Sequence, residues 1–357
     1  MTVLATGTGP ITGDDYLPCR ADEVFWGRLP CAGDQAVVSV EPGRTLTVDS
    51  LSHEGVMEDQ GRDPLNFFAR YDVDPELVLP ESVALAGSAR PHPAEDGPHV
   101  VTGPIEVRGA RPGDLLAITV LETIRRVPYG IISSRHGRGA LPGELPASAG
   151  PYHAFASVQE VDGTAYGVLP LSPHVEATVR FELHPFLGIM GVAVAGGTRP
   201  HSVPPGPHGG NLDINLLTVG STLYLPVQVP GALAYVGDPH FAQGDGEVAL
   251  TALEASLRAT LRFDVVAAGD VAALFGEGVG PIAETAEFLV PTGLDADLDT
   301  ATQNCVRAAL GLLEARYGMD RGQAYAYLSA ATDFNISQVV DLVKGVHARI
   351  RKSDFDR

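Results

Sequence analysis

Glycine and proline punctuate this chain almost throughout, 41 and 28 of them in 357 residues. Both interrupt helices, so long helices are excluded over most of the length, and what lies between the breaks decides the fold. Those intervals are short β-branched runs such as "QAVVSVEPGRTLTVDSL", "PHVVTGPIEVRGARPGDLLAITVLETI" and "GSTLYLPVQVPGALAYVGD". In the second, Ile105 and Val107, then Leu116, Ile118 and Val120, alternate with their neighbours around Arg111-Pro112-Gly113-Asp114. That spacing predicts strand, turn, strand with one buried face. The run "EVALTALEASLRATLRFDVVAAGD" continues it, with Ala249, Thr251 and Leu253 alternating before a second run over 257–266, which predicts long neighbouring strands.

The C-terminal part changes period. Ala301, Cys305, Ala309, Leu312 and Leu313 recur at helical spacing behind Asp297 or Asp299, and Asp320 opens a second helix through "RGQAYAYLSAATD". The closing "FNISQVVDLVKGVHARI" is apolar and β-branched again. The expectation is a β-rich α+β fold of sandwich- or barrel-like lobes with a C-terminal helical hairpin. Three stretches suggest themselves: an N-terminal β-rich lobe over 1–130, a central β-rich lobe over 131–290, and the helical hairpin with its closing strand over 291–357. Residues 52–70, "SHEGVMEDQGRDPLNFFAR", break the pattern with charge and read as a solvated loop.

A net charge of -20, from 24 Lys+Arg against 44 Asp+Glu, repels phosphate backbones and anionic lipid, which argues against nucleic acid or a membrane as partner. The first residues, "MTVLATGTGPITGDDY", carry no basic region followed by an apolar run, and no later stretch has the length and apolarity of a membrane span. Cys19, Cys31 and Cys305 are an odd number widely spaced, a pattern of reduced thiols that fits the cytoplasm. The apolar, proline-broken strand pattern at 223–229 suggests an unpaired edge covered in a homo-oligomer.

Acids and imidazoles concentrate in two places. In "VGDPHFAQGDGEV", Asp238 and His240 share one strand face by the period of two. Gly244, Asp245 and Gly246 then offer a turn that would return Glu247 toward His240 across a hairpin. Carboxylate and imidazole at short range suit a divalent metal and acid–base catalysis equally, and a solvated hairpin tip has the same sequence. In "VPPGPHGGNLDINLL", His208, Asn211 and Asp213 follow prolines and a glycine pair that permit close approach of a ligand or of the chain itself, where an ordinary surface turn is the alternative. His99 in "GPHVVTGPIEV" begins a strand. No dinucleotide fingerprint, phosphate loop, HExxH, GxSxG or CxxC occurs. Ser133-Ser134 before Arg135 and His136 reads as a polar loop, and Lys344 and His347 as strand-edge residues or contributors to a site.

The segments "PPGPHGGNLDINLLTVGSTLYLPVQVPGALAYVGDPHFAQGDGEV", "GPHVVTGPIEVRGARPGDLL" and "AYAYLSAATDFNISQVVDLVKGVHARI" together resemble the acetamidase/formamidase family, over about Val38 to Arg351. The resemblance implies a β-rich cytoplasmic enzyme that releases ammonia from a short aliphatic amide with the help of a divalent metal, zinc above all. Carried over position by position, it selects His99, then His208, Asn211 and Asp213, then Asp238, His240, Gln243, Asp245 and Glu247. On this reading His99, Asp213 and His240 are metal ligands, with Asp49 and Asp238 as reserve ligands and Asp238 also a catalytic candidate. Glu247 is the general base, His208 a further catalytic group, and Asn211 and Gln243 orient the substrate. The sequence departs from the family's pattern at Val194, where a proline is more usual, and in the 52–70 insert. Both departures suggest an altered pocket, so a larger or cyclic amide is the second reading, and a non-catalytic binder of small amides or metal the third.

Overall fold

The computed structural model describes residues 3–172 and 175–355 and consists of two open β-sheets packed face to face, with the helical hairpin against one of them. The first sheet has nine strands in the order Asp15–Leu17, Thr45–Asp49, Leu257–Val266, Leu115–Arg125, Thr222–Pro226, Ile282–Glu284, Phe288–Asp295, Lys344–Arg351 and Asp333–Gln338. It therefore draws strands from all three stretches named above. The second sheet, of 11 strands, runs Val175–Glu182, Thr164–Ser172, Tyr152–Val161, Tyr129–Ser134, Leu253–Glu254, Ala234–Ala242, Phe186–Val192 and Gly209–Asn211. Val100–Val107 branches from Ala234–Ala242 and pairs in turn with Phe25–Trp26 and Val38–Val40.

The main core fills the space between the sheets. Leu46, Leu116, Ile118, Leu223, Leu261 and Phe263 face it from the first, and Ile105, Phe186, Met190 and Val236 from the second. Helices Leu298–Tyr317 and Arg321–Ala331 cover the other side of the first sheet through Leu310, Leu313, Ala324 and Leu328, against Leu289 and Ile350. Asp297 accepts from the Thr300 amide and Asp320 from the amides of Gly322 and Gln323, the expected caps. The long helix lies so close to Phe288–Asp295 that a Cβ on Gly293 would sit 2.1 Å from the Ala301 carbonyl. Cys305 is buried in that contact, donating to Pro291 O at 3.3 Å.

Four local expectations are corrected. Val100–Val107 and Leu115–Arg125 flank the predicted turn, where the Arg111 amide reaches Asp114 Oδ2 at 2.9 Å, but they belong to opposite sheets instead of pairing with each other. Either arrangement buries the same alternating face, so periodicity alone did not separate them. Residues 243–252 are not a strand: positive φ at Gly246 (99°), Glu247 (48°) and Leu250 (112°) breaks the extended run. Thr222–Pro226 is hydrogen-bonded on both sides and leaves no open edge, which removes that argument for assembly. The 52–70 insert is no solvated loop. His53, Glu54 and Gln60 are buried, and Asp63 caps the helix Pro64–Ala69, which inserts Phe67 and Phe68 into a second core.

Candidate active site

The strand Ala234–Ala242 is the spine of a buried polar cluster. Its partner on one side changes from Val100–Val107 to Leu253–Glu254, and Asp238 sits at the change with φ 50°. Asp213 and Glu247 have the same left-handed backbone, φ 49° and 48°. Such conformations cost a non-glycine residue about 1–3 kcal/mol each and persist where surrounding structure enforces them, commonly at functional sites. Here three strained residues bring three carboxylates together.

Asp238 and His240 project on one face as expected, with His240 Nε2 3.0 Å from Asp238 Oδ2. The same nitrogen is 3.0 Å from Glu254 Oε1, and Nδ1 is 3.7 Å from Asp213 Oδ1. On the far side of Asp238 lie His53 Nδ1, 3.6 Å from Oδ1, and His99 Nε2, 3.8 Å from Oδ2. Among the described residues, donor atoms within 4.8 Å of one another form three groups: His53, His99 and Asp238; Asp213, His240 and Glu247; and Asp238, His240 and Glu254. All are buried.

These atoms are close but mostly not hydrogen-bonded. Both nitrogens of His53 and of His240, both oxygens of Asp213 and one each of Asp238, Glu247, Glu254 and Asp341 are buried without a hydrogen-bond partner. Each such atom costs about 1–3 kcal/mol. So many converging on one place form a donor set that suits a divalent cation: carboxylate oxygen and imidazole nitrogen, no thiolate.

The electrostatics agree. Burial, then the neighbouring Asp341 carboxylate, raises Asp213 well above the usual range, and burial with Asp213 does the same to Glu247. Burial and Asp238 push Glu254 up to about 7. Asp238 runs the other way: burial opposes its charge, but His99 and His240 outweigh it and hold it well below a normal aspartate. Burial alone would neutralise His53, yet Asp238 and Glu54 keep it up at about 10. The cluster has more carboxylate than its imidazoles can balance, a charge excess that a dication would offset.

The remaining sequence candidates fall differently. His99 joins the cluster, its Nδ1 2.9 Å from Ser202 Oγ. Gln243 spends its Nε2 on the Asp213 and Ser337 carbonyls, at 2.8 and 3.2 Å, so it braces Asp213 and offers only an acceptor to a ligand. Asn211 is buried beside Ile189 with Oδ1 unpartnered. His208 belongs to none of the three groups, and burial alone lowers it to about 4. Asp245 points away to Asn215, Asn335 and Arg349. Ser133 is buried and hydrogen-bonds Glu54 and His153; His347 is buried against Ser337, and Lys344 reaches the Ala296 carbonyl.

Asp49 is the clear correction. Its carboxylate is held by Arg258 at 2.6 and 3.0 Å and by Tyr16, with Arg126 3.7 Å away, and it takes no part in the cluster. Arg258 in turn donates to the carbonyls of Thr8 and Pro10, so the pair fastens the N-terminal segment. Asp49→Ala leaves a buried guanidinium unpaired and is expected to lower unfolding free energy by about 3–5 kcal/mol, measured by urea titration, with metal content per folded molecule unchanged.

The residues that sequence reasoning missed are His53, Glu54, Glu254 and Asp341. Glu254 stands opposite His240 in the strand register, the place expected for Glu247. Asp341 adjoins Asp213 and Glu247. Each of these two is a lone acid within an apolar run, "ALEASL" and "VVDLV", and that was the available signal.

A surface cleft of about 870 Å³ reaches the cluster at Glu247, which lines it; no other member of the three groups does.

The acetamidase/formamidase family model matches residues 193–351, which include Asp213, Asp238, His240, Glu247 and Glu254. A Schizosaccharomyces pombe protein assigned as a formamidase is 28% identical over 305 residues, 68% of this chain and 74% of that one. An acetamidase of Mycolicibacterium smegmatis is 30% identical over 201 residues, 42% of this chain and 49%, or about half, of its own length. The crystal structure of an acetamidase from Bacillus halodurans superposes with a TM-score of 0.71 at 25% identity, over 95% of this chain and 98% of that one. Two sheets, a helical hairpin and a matching sequence over the strands that build the cluster agree: in sequence and fold the chain is similar to the acetamidase/formamidase family of amide hydrolases.

Proposed function

We propose that this protein hydrolyses primary aliphatic amides of the acetamide and formamide type, releases ammonia, and depends on a divalent metal, with zinc the first candidate. The observation that carries the reading is the convergence of unpaired buried atoms from His53, Asp213, Asp238, His240 and Glu254 beside Glu247, with His99 closing the group on the far side of Asp238. The relatives named acetamidase and formamidase support the substrate class.

His53, His99 and Asp238 form one candidate ligand set, Asp238, His240 and Glu254 another, and Asp213 and His240 stand beside Glu247 in a third. A bound divalent ion supplies Lewis acidity to the carbonyl and acidifies water to a pKa of about 7. The protein's own contribution centres on Glu247. Standing between cleft and cluster, its carboxylate takes a proton from the attacking water and passes it to the amide nitrogen as the C–N bond breaks, so that a carboxylic acid and ammonia leave. Burial beside Asp213 raises the affinity of Glu247 for that proton. Glu54, fixed by Gln60 and Ser133, lies 3.5 Å from His53 Nε2 and orients that ring.

Free thiols at Cys19, Cys31 and Cys305 support a cytoplasmic setting. Among the described residues no helix is long and apolar enough to cross a membrane. Exposed Leu171, Val175 and Val179 on the outermost strands of the larger sheet support homo-oligomerisation.

Dialysis against a strong chelator is expected to abolish ammonia release from acetamide, and added zinc to restore it in proportion to bound metal. Undiminished activity in metal-free protein overturns the metal dependence. Amide binding without ammonia release under all conditions makes the chain a binding protein.

A further inference from the structure

The cleft that ends at Glu247 is much larger than an acetamide molecule needs. Its volume of about 870 Å³ lies in the range that accommodates drug-sized ligands, about 300–1,000 Å³. Phe181, Leu216, Val219, Val248, Leu253 and Phe288 supply apolar walls, and Glu247 and Gln243 are among the polar lining. The charged residues of the lining are all acidic apart from its histidine: Glu182, Asp245, Glu247 and Glu287, with no Lys or Arg among them.

We infer that the substrate is an uncharged primary amide with an extended apolar acyl group, which lies along the cleft while its carboxamide enters the cluster past Glu247. This rests on the amide-hydrolase reading above and names the substrate class within it. The apolar wall gives an acyl chain a surface to cover; each methylene taken out of water strengthens binding about fourfold. The acidic lining selects against the alternative tails. A carboxylate-bearing amide would bring a negative charge beside Glu182, Glu247 and Glu287 with no Lys or Arg in the lining to receive it, Asp245 being already paired with Arg349, and like-charge contact is a strong rejecting element.

The experiment is a kcat/KM series on the metal-loaded protein, following ammonia from acetamide, butyramide, hexanamide and the monoamide of adipic acid. Hexanamide is expected to exceed acetamide by about tenfold or more, below the full methylene increment because the cleft is open on one side. The adipic monoamide, the same length with a terminal carboxylate, is expected to fall about tenfold or more below hexanamide. Val219→Glu and Val248→Glu, both at exposed positions where folding tolerates a charge, are expected to cut the hexanamide-to-acetamide ratio about fivefold. A ratio at or below one, or a ratio untouched by both substitutions, overturns the inference and leaves amide hydrolysis standing. Equal turnover of the neutral and anionic six-carbon amides overturns the charge selection. Ammonia from none of the four overturns the functional reading and the inference with it.

Discussion

Glu247→Gln is expected to retain metal and to lose about 10²–10⁴-fold in ammonia release, the usual contribution of a general base. Glutamine is nearly isosteric, so the packing of this buried residue survives, but its amide cannot accept the proton that Glu247 carries. The lost charge also relieves repulsion with Asp213 and Asp341, the carboxylates that act on Glu247 or are acted on by it. The substituted protein is therefore expected to be at least as stable as the parent. His240→Ala behaves oppositely, because His240 lies within 3.0 Å of Asp238 and Glu254 and 3.7 Å of Asp213. It sits where both donor sets on its side meet, and its removal is expected to empty the metal site along with the activity. Metal content by mass spectrometry, read beside the rate for both proteins, separates the roles. Full turnover in Glu247→Gln places the base elsewhere; loss of metal from Glu247→Gln and not from His240→Ala exchanges the two assignments.

The contrast depends on a distinction that the sequence left open. The period of two set Asp238 and His240 on a common face, and they share it. The hairpin expected to bring Glu247 back across from His240 does not form as a ladder, because left-handed residues at 246, 247 and 250 interrupt it, and Glu254 occupies the paired position. Glu247 still reaches the cluster, by a loop turned inward by those same residues. A strand pattern is a statement about alternation, and it carries no information on where a chain will accept strain.

Long-range contacts were harder still to read. His53 and Glu54 lie in a stretch whose charge marks it as surface, and they are buried because Phe67 and Phe68, a few residues on, anchor the insert in the second core. Asp49, assigned as a ligand, meets two arginines from distant parts of the chain, Arg126 and Arg258, and nothing local announces that pairing. The C-terminal hairpin was legible because capping and helical spacing are local properties. The cluster was legible only where two of its members fall within one strand, or where the family resemblance supplied the rest.

Gly188→Ala tests whether the cluster is the metal site at all, and it does so without touching a donor. Gly188 lies opposite Asp238 between the register pairs Leu187 with Pro239 and Ile189 with Gly237. Its φ is not in the left-handed region, so alanine is compatible with the backbone and the folded state should persist. The added methyl, however, would sit 2.4 Å from Asp213 Oδ1, 2.7 Å from His240 Cε1 and 2.8 Å from Asp238 Oδ2. None of the three side chains can yield freely: Asp213 has its own amide on the Gly188 carbonyl at 3.3 Å, and His240 is packed edge-on against Phe186. The carboxylates must part by an ångström or so, and a displacement of that size at a reacting centre costs about 10²-fold. The expected outcome is a protein with an unaltered circular-dichroism spectrum, metal affinity reduced about 100-fold or more and activity reduced with it. Gly311→Ala is the control: it lies in the long helix with nothing within 4 Å of the new methyl, and alanine there should add about 0.5–1 kcal/mol of stability. Parental metal content and turnover in Gly188→Ala would mean that the metal, if the enzyme uses one, is held elsewhere.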